Sequence, residues 1–348
     1  MDRDTLVHLL QRVLVTHSPS GNEKEMADLV LAELMSRAHD VSVDAAGNIR
    51  VRFPGREAGP PILVTGHKDE VGMIVKRVEA GGRLRVRNLG GNYNYKYGEG
   101  PVEILGDREV VEGVFSFGAI HISKESADQF GAQEEGKLPS WDAWWVETKR
   151  SGEALKKAGV HAGSKVVVHR ARKQPLVMGD FISGYALDDK GSIPILIGLA
   201  EELSQRQPKR DTVLAVTSAE EVGAIGAAWV ARDLAPELTI AVEVAPVMPE
   251  YDVHNTPAPV LLYQDHYAVY NEGTSRTLAE TAEDLGIEIQ YAAVSNYGSD
   301  ASIAKRLGHS ARAAAICFPT ENTHGWEIAN ITAIENVLKV LTAYLTRE

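Results

Sequence analysis

The stretch Val213-Leu-Ala-Val-Thr-Ser-Ala-Glu220-Glu221-Val-Gly223 decides the reading of this chain. Residues 213–216 read as a buried strand and 224–231 as the helix that follows it. Neighbouring side chains on a strand point to opposite faces. Two carboxylates at a strand end can therefore divide the work, one binding a cation and one facing a substrate water. A solvated acidic turn would explain this pair in isolation. Two further strand ends weigh against it, because they carry His67-Lys-Asp69-Glu70-Val-Gly72 and Asp188-Asp189-Lys190-Gly191. Together the three clusters read as one dinuclear metal site.

Outward from this stretch, strands and helices alternate. Helix 191–203 leads to strand 212–219, helix 223–233 to strand 238–244, helix 276–285 to strand 288–294, and helix 301–307 to strand 312–318. A terminal helix spans 331–345. Such alternation implies an α/β domain with a largely parallel sheet covered on both faces. At the N-terminal end, Leu6, Leu9, Leu10, Val13 and Leu14 set a helical period over 4–15. Ser20 with Glu23 then has the spacing of a capping box for a helix reaching Ser36. Residues 41–51 alternate as a hairpin turning at Gly47-Asn48, and 61–65 form a short strand leading into His67.

Between 73 and 169 the character changes. Strand-like pieces at 72–78, 83–86, 102–105, 110–115 and 165–169 sit among glycines, and only 151–158 looks helical. This reads as a β-rich insert, giving a catalytic domain of 1–72 and 170–348 around an inserted domain of 73–169. Trp141, Trp144 and Trp145 within the insert serve equally well as its small core or as an association surface.

A length of 348 residues allows a sizeable core. The net charge of −12 argues against a nucleic-acid or anionic-membrane partner. The one cysteine, Cys317, lies in an apolar run and reads as a buried hydrophobe. The opening Met-Asp-Arg-Asp-Thr-Leu lacks the order of a signal peptide, and no apolar stretch approaches the roughly 20 residues of a membrane span. A cytoplasmic location is expected.

His67, Asp188, Glu220, Glu221, Glu243 and His324 all fall at or just beyond predicted strand ends, where open α/β sheets bind ligands. Imidazole and carboxylate donors without thiolates suit zinc, cobalt or manganese. Two metals about 3.5–4 Å apart would share a bridging carboxylate.

At this point the chain resembles a known family, the tetrahedral or glutamyl aminopeptidases, metallopeptidase family forty-two, some of whose members carry the older name endoglucanase or cellulase. The resemblance covers nearly the whole chain. It rests on Ser18-Pro-Ser-Gly21, Gly66-His-Lys-Asp-Glu-Val-Gly72, Gly184-Tyr-Ala-Leu-Asp-Asp-Lys-Gly191, Ala219-Glu-Glu-Val-Gly-Ala-Ile-Gly-Ala227, Gly298-Ser-Asp-Ala301 and Thr323-His324. It implies a zinc-peptidase-like α/β fold: a mainly parallel sheet flanked by helices on both faces, with the β-rich insert. Asp188 would bridge two divalent metal ions, zinc or cobalt foremost. One metal would add His67 and Glu243, and the other Glu221 and His324. Glu220 would be the general base, and Asp69 would orient His67. The implied activity is removal of N-terminal residues from short peptides, by a homo-oligomer that is a dimer or a dodecamer. Glu243 stands where the family usually has Asp, and Glu321-Asn322-Thr323 replaces the usual Arg-Tyr before the last histidine. Two other readings stay open: a deacylase of N-acyl amino acids on the same scaffold, and a catalytically weak metal-binding assembly. His254 with Asp252 is the strongest exception among the remaining histidines.

Overall fold

The computed structural model describes residues 1–126, 131, 136 and 138–347. The chain divides into two compact units, one of Met1–Glu70, Pro175–Thr323 and the segment from Glu327 on, the other of Val71–Gln174 with His324–Trp326.

The first unit opens with helix Arg3–Val15, whose apolar period buries Leu6, Leu9, Leu10, Val13 and Leu14. Asp2 caps it by accepting from Thr5 N–H at 2.8 Å. Helix Lys24–Met35 follows without a side-chain cap, so the expected capping box does not form. Ser20 and Glu23 are engaged elsewhere, as shown below. The strands β1 (Val41–Val43), β2 (Ile49–Phe53) and β3 (Glu57–His67) come next, and β1 and β2 make the expected hairpin.

The second unit holds β4 (Gly72–Val78), β5 (Leu84–Leu89), β6 (Gly100–Leu105), β7 (Val110–Ser116), β8 (Trp145–Glu147) and β9 (Lys165–Val168). They close a barrel in the order β4-β5-β8-β7-β6-β9. Val102, Ile104, Val111, Phe115, Val146 and Val166 are buried. Trp144 joins this core, stacked on Phe115 at 4.5 Å. Trp141 and Trp145 stay half-buried, with Arg83 over the Trp145 ring at 4.8 Å.

Back in the first unit are β10 (Leu176–Met178), β11 (Phe181–Tyr185), β12 (Arg210–Thr217), β13 (Leu238–Pro246), β14 (Val260–Gln264), β15 (Gln290–Ala293), β16 (Arg312–Glu321) and, from Glu327 on, β17 (Trp326–Asn330). The sheet runs β1-β2-β12-β3-β13-β16-β17-β11-β10, with β14 and β15 attached through β16. Parallel pairing joins β12, β3, β13 and β16 at its centre and β15 to β14 at a margin. Strands β2, β14 and β17 join antiparallel. The sheet is thus mixed, which corrects the expectation of a mainly parallel one. Antiparallel neighbours need no helical crossover, so the helix–strand rhythm reveals the parallel strands and misses β10, β11, β14 and β17.

The central strands are buried on both sides. Val64, Leu214, Val216, Ile240, Val242 and Ile316 pack with helices Ser192–Gln205 and Ile331–Thr346. Their neighbours Leu63, Val213 and Ala215 pack with Val230 and Ala231 of helix Ile225–Leu234 and with Ala304. The period of two sends successive side chains to opposite layers. Cys317 is fully buried.

Candidate metal centre

Parallel register assembles the site. Thr217 lies beside His67 across β12 and β3, and Ala241 beside Thr65 across β13 and β3. Two residues further along β13, Glu243 comes level with His67. Glu243 therefore sits within β13 rather than at its end. Asp188 and Asp189 follow β11 in the turn Leu187–Lys190 and are joined by a cis peptide bond.

His67 is the hub. Its Nε2 lies 3.3 Å from Asp188 Oδ1, 3.7 Å from Glu220 Oε2 and 4.0 Å from Glu243 Oε1. Nδ1 lies 3.1 Å from the Asp69 main-chain oxygen and 3.5 Å from Asp69 Oδ1. That acceptor pair fixes the proton on Nδ1 and turns the Nε2 lone pair toward the carboxylates. Two donor sets within reach of one cation share this imidazole: His67, Asp188 and Glu221, and His67, Asp189 and Glu243. Asp189, absent from the ligand set that the resemblance implies, enters the second of these. His324 is in neither set. It falls in the second unit on a left-handed backbone, with Nδ1 2.5 Å from Gly91 O. His254 pairs with Asp252 at 3.2 Å where both side chains are largely exposed.

Asp69 is wholly buried. Its carboxylate accepts from Ser20 Oγ at 2.6 Å and from the N–H groups of Glu220 and Glu221 at 2.8 and 3.2 Å. Burial opposes its charge, but His67, Ser20 and the Glu220 amide hold the carboxyl below the usual range. Burial pushes the carboxyls of Glu220, Glu243 and Asp189 well above theirs, and neighbouring carboxylates add to it. Burial also works against a charged His67, yet Asp188, Asp69, Glu220 and Glu243 together raise it well above its ordinary value. A cation among these groups would offset the crowding of their charge.

The residues fit a divalent cation on another count. Asp189 Oδ1 and Asp300 Oδ1 are buried carboxylate oxygens with no hydrogen-bond partner among the described residues. Asp300 Oδ2 accepts from Thr217 Oγ1 at 2.6 Å. The two basic residues of the motifs do not neutralise this centre. Lys68 Nζ pairs with Glu23 Oε2 at 2.9 Å, and Lys190 Nζ with Glu70 Oε2 at 3.0 Å. Both lysines are almost completely buried.

Several contributors escape the sequence. Glu327 is fully buried and accepts from Asp188 N–H at 3.2 Å. An acid inside an otherwise apolar strand is its one signal. Ser20 and Glu23 read as a helix cap, and Asn48 as a turn residue. Only tertiary contact sends them to the site.

The model of the M42 glutamyl aminopeptidase family matches residues 47–340. The Escherichia coli protein SgcX is 27% identical over 73% of this chain and 65% of its own length. Lysyl aminopeptidase of Pyrococcus furiosus is 24% identical over 97% of this chain and 96% of its own. Among solved structures, the TET1 peptidase of Pyrococcus horikoshii superposes with a TM-score of 0.86 at 24% identity, over 99% of this chain and all of that one. A family match of this extent, on a fold and donor set of this kind, means that the chain belongs to the M42 glutamyl aminopeptidases, metal-dependent aminopeptidases.

Proposed function

We propose that the protein removes N-terminal residues from short peptides at a dinuclear metal centre. The observation that supports this reading is the gathering of Asp188 with Glu221, and of Asp189 with Glu243, about the one imidazole of His67, so that carboxylates remain for a second cation beyond the one His67 can serve. Zinc, cobalt and manganese match nitrogen and oxygen donors of this type. Two such cations would lower the pKa of water and polarise the scissile carbonyl. Asp188 is assigned as the shared ligand, with His67 and Glu243 on one side and Glu221 on the other. On sequence grounds alone, His324 is assigned beside Glu221. Glu220 takes a proton from the attacking water and returns it to the leaving amine. Asp69 holds the His67 tautomer and, through two amide contacts, the turn that bears Glu220.

Specificity follows from charge. Lys68 and Lys190 are spent on buried ion pairs, while Asp189, Glu220 and Asp300 remain around the centre. An acidic cleft attracts an ammonium and repels a second carboxylate. Neutral or basic N-terminal residues should be preferred over Glu or Asp. The test is a panel of aminoacyl-anilides and their N-acetylated counterparts, assayed metal-free and with added zinc, cobalt or manganese. Fastest cleavage of acidic anilides would overturn the specificity. Equal cleavage of N-acetylated substrates would overturn the aminopeptidase in favour of a deacylase.

The barrel unit is assigned a role in self-association. The P. horikoshii TET1 peptidase is described as assembling into a tetrahedron or a large octahedral shell. Here the unit exposes apolar surface at Tyr93, Tyr95, Val110 and Val114, and the two tyrosines stack at 5.4 Å. Light scattering should report a dimer or a dodecamer. A monomer at working concentration would remove this role.

A further inference from the structure

We propose that Ser20, Glu23 and Asn48 are positioning residues that set the direction of the Glu220–Glu221 pair. Beyond β12 the chain leaves the sheet, and four consecutive N–H groups lose their ladder partners. Each is taken by a side chain. Ser218 N–H donates to Asn48 Oδ1 at 3.0 Å and Ala219 N–H to Glu23 Oε1 at 3.1 Å. Glu220 and Glu221 N–H donate to the two oxygens of Asp69, at 2.8 and 3.2 Å. The three acceptors come from three separate places: the loop before helix Lys24–Met35, the β1–β2 turn and the segment after β3.

The acceptors are themselves tied down. Ser20 Oγ donates to Asp69 Oδ2 at 2.6 Å. Glu23 Oε2 pairs with Lys68 Nζ, which also donates to Gly47 O at 3.0 Å and to Ser218 Oγ. Asn48 Nδ2 donates to Asp44 Oδ2 at 2.8 Å and to Gly226 O at 3.2 Å. A Cβ at Gly226 would come within 2.3 Å of Asn48 Oδ1, so glycine there permits the close approach. Ser20, Asn48, Lys68 and Asp69 are all buried. Ala219, at the centre of the turn, has φ of 55°, a conformation that persists for a residue with a Cβ only where its surroundings impose it.

This arrangement does more than end a strand. The turn aims Glu220 to within 3.7 Å of His67 Nε2 and brings Glu221 into the donor set with His67 and Asp188. A misplacement of about 1 Å in such a site can cost about 10²-fold in rate. The Ser20 hydroxyl stops Asp69 from rotating away from the amides, and Glu23 holds the preceding residue. Neither touches the reacting atoms.

The kinetic side of this inference rests on the aminopeptidase reading, and the metal-binding side does not. Ser20→Ala removes one hydroxyl, the one that donates to Asp69. The apparent Kd for cobalt, measured by chelator competition, should weaken about 10–100-fold. Turnover of an aminoacyl-anilide should fall by a similar factor, with KM unchanged. Ser20→Thr should restore both, and Glu23→Gln should shift both in the same direction as Ser20→Ala. The proposal fails if Ser20→Ala matches the parent in cobalt Kd and turnover. It also fails if Thr gives no rescue, or if circular dichroism traces the whole loss to unfolded protein. Should the parent bind cobalt yet cleave no anilide, the aminopeptidase reading fails alone, and the Kd of Ser20→Ala still decides this one.

Discussion

Glu220→Gln should lower turnover about 10²–10⁴-fold without loss of bound metal, because it removes the proposed proton acceptor and keeps the side-chain shape. The glutamate side chain is only 14% exposed, and its Oε2 lies 3.7 Å from His67 Nε2. Its main-chain N–H is fixed by Asp69, so the amide should occupy the same place without repacking. Steady-state kinetics measures the loss, and elemental analysis of the dialysed protein measures the metal. The comparison that matters is Glu221→Gln. Glu221 belongs to a donor set with His67 and Asp188, and Glu220 belongs to neither set. Metal loss from Glu220→Gln equal to that from Glu221→Gln would reverse the roles of the pair.

Chelation should abolish hydrolysis outright, and zinc or cobalt should restore it. Of the single substitutions, Asp188→Ala should empty the centre most completely. Its Oδ1 lies 3.3 Å from His67 Nε2, and the bridging ligand proposed above would serve both ions. The consequence reaches stability. The cluster crowds Asp188, Asp189, Glu220 and Glu243 around one imidazole, and burial pushes the carboxyls of Asp189, Glu220 and Glu243 well above their usual range. Metal at a hundredfold excess over Kd should stabilise the fold by about 2.7 kcal/mol per site, since it binds only the folded chain. Thermal melts should therefore rise with added metal for the parent and stay flat for Asp188→Ala. Full activity in a sample verified to be metal-free would end the metallopeptidase reading.

Much of this protein can be read from residue order alone. Strands β3, β12, β13 and β16 announce themselves as apolar runs because both of their faces are buried, and helices between them announce the parallel centre. The donor types were legible for the same reason: His67, Glu220, Glu221 and the Asp188-Asp189 pair are acids and an imidazole placed where an apolar run stops. What local pattern could not convey was which polar residues face each other across long separations. The strands β10, β11, β14 and β17 are short and pair antiparallel, with no crossover helix to mark them. Glu327 is silent in sequence until the sheet brings it to the Asp188 amide. Ser20 and Glu23 have the spacing of a helix cap, and local energetics alone would make them one. The cap is worth about 1 kcal/mol, whereas a buried Lys68 left without Glu23, or amides of the 218–221 turn left without acceptors, would cost more. Tertiary structure therefore took these residues from the helix and gave them to the site.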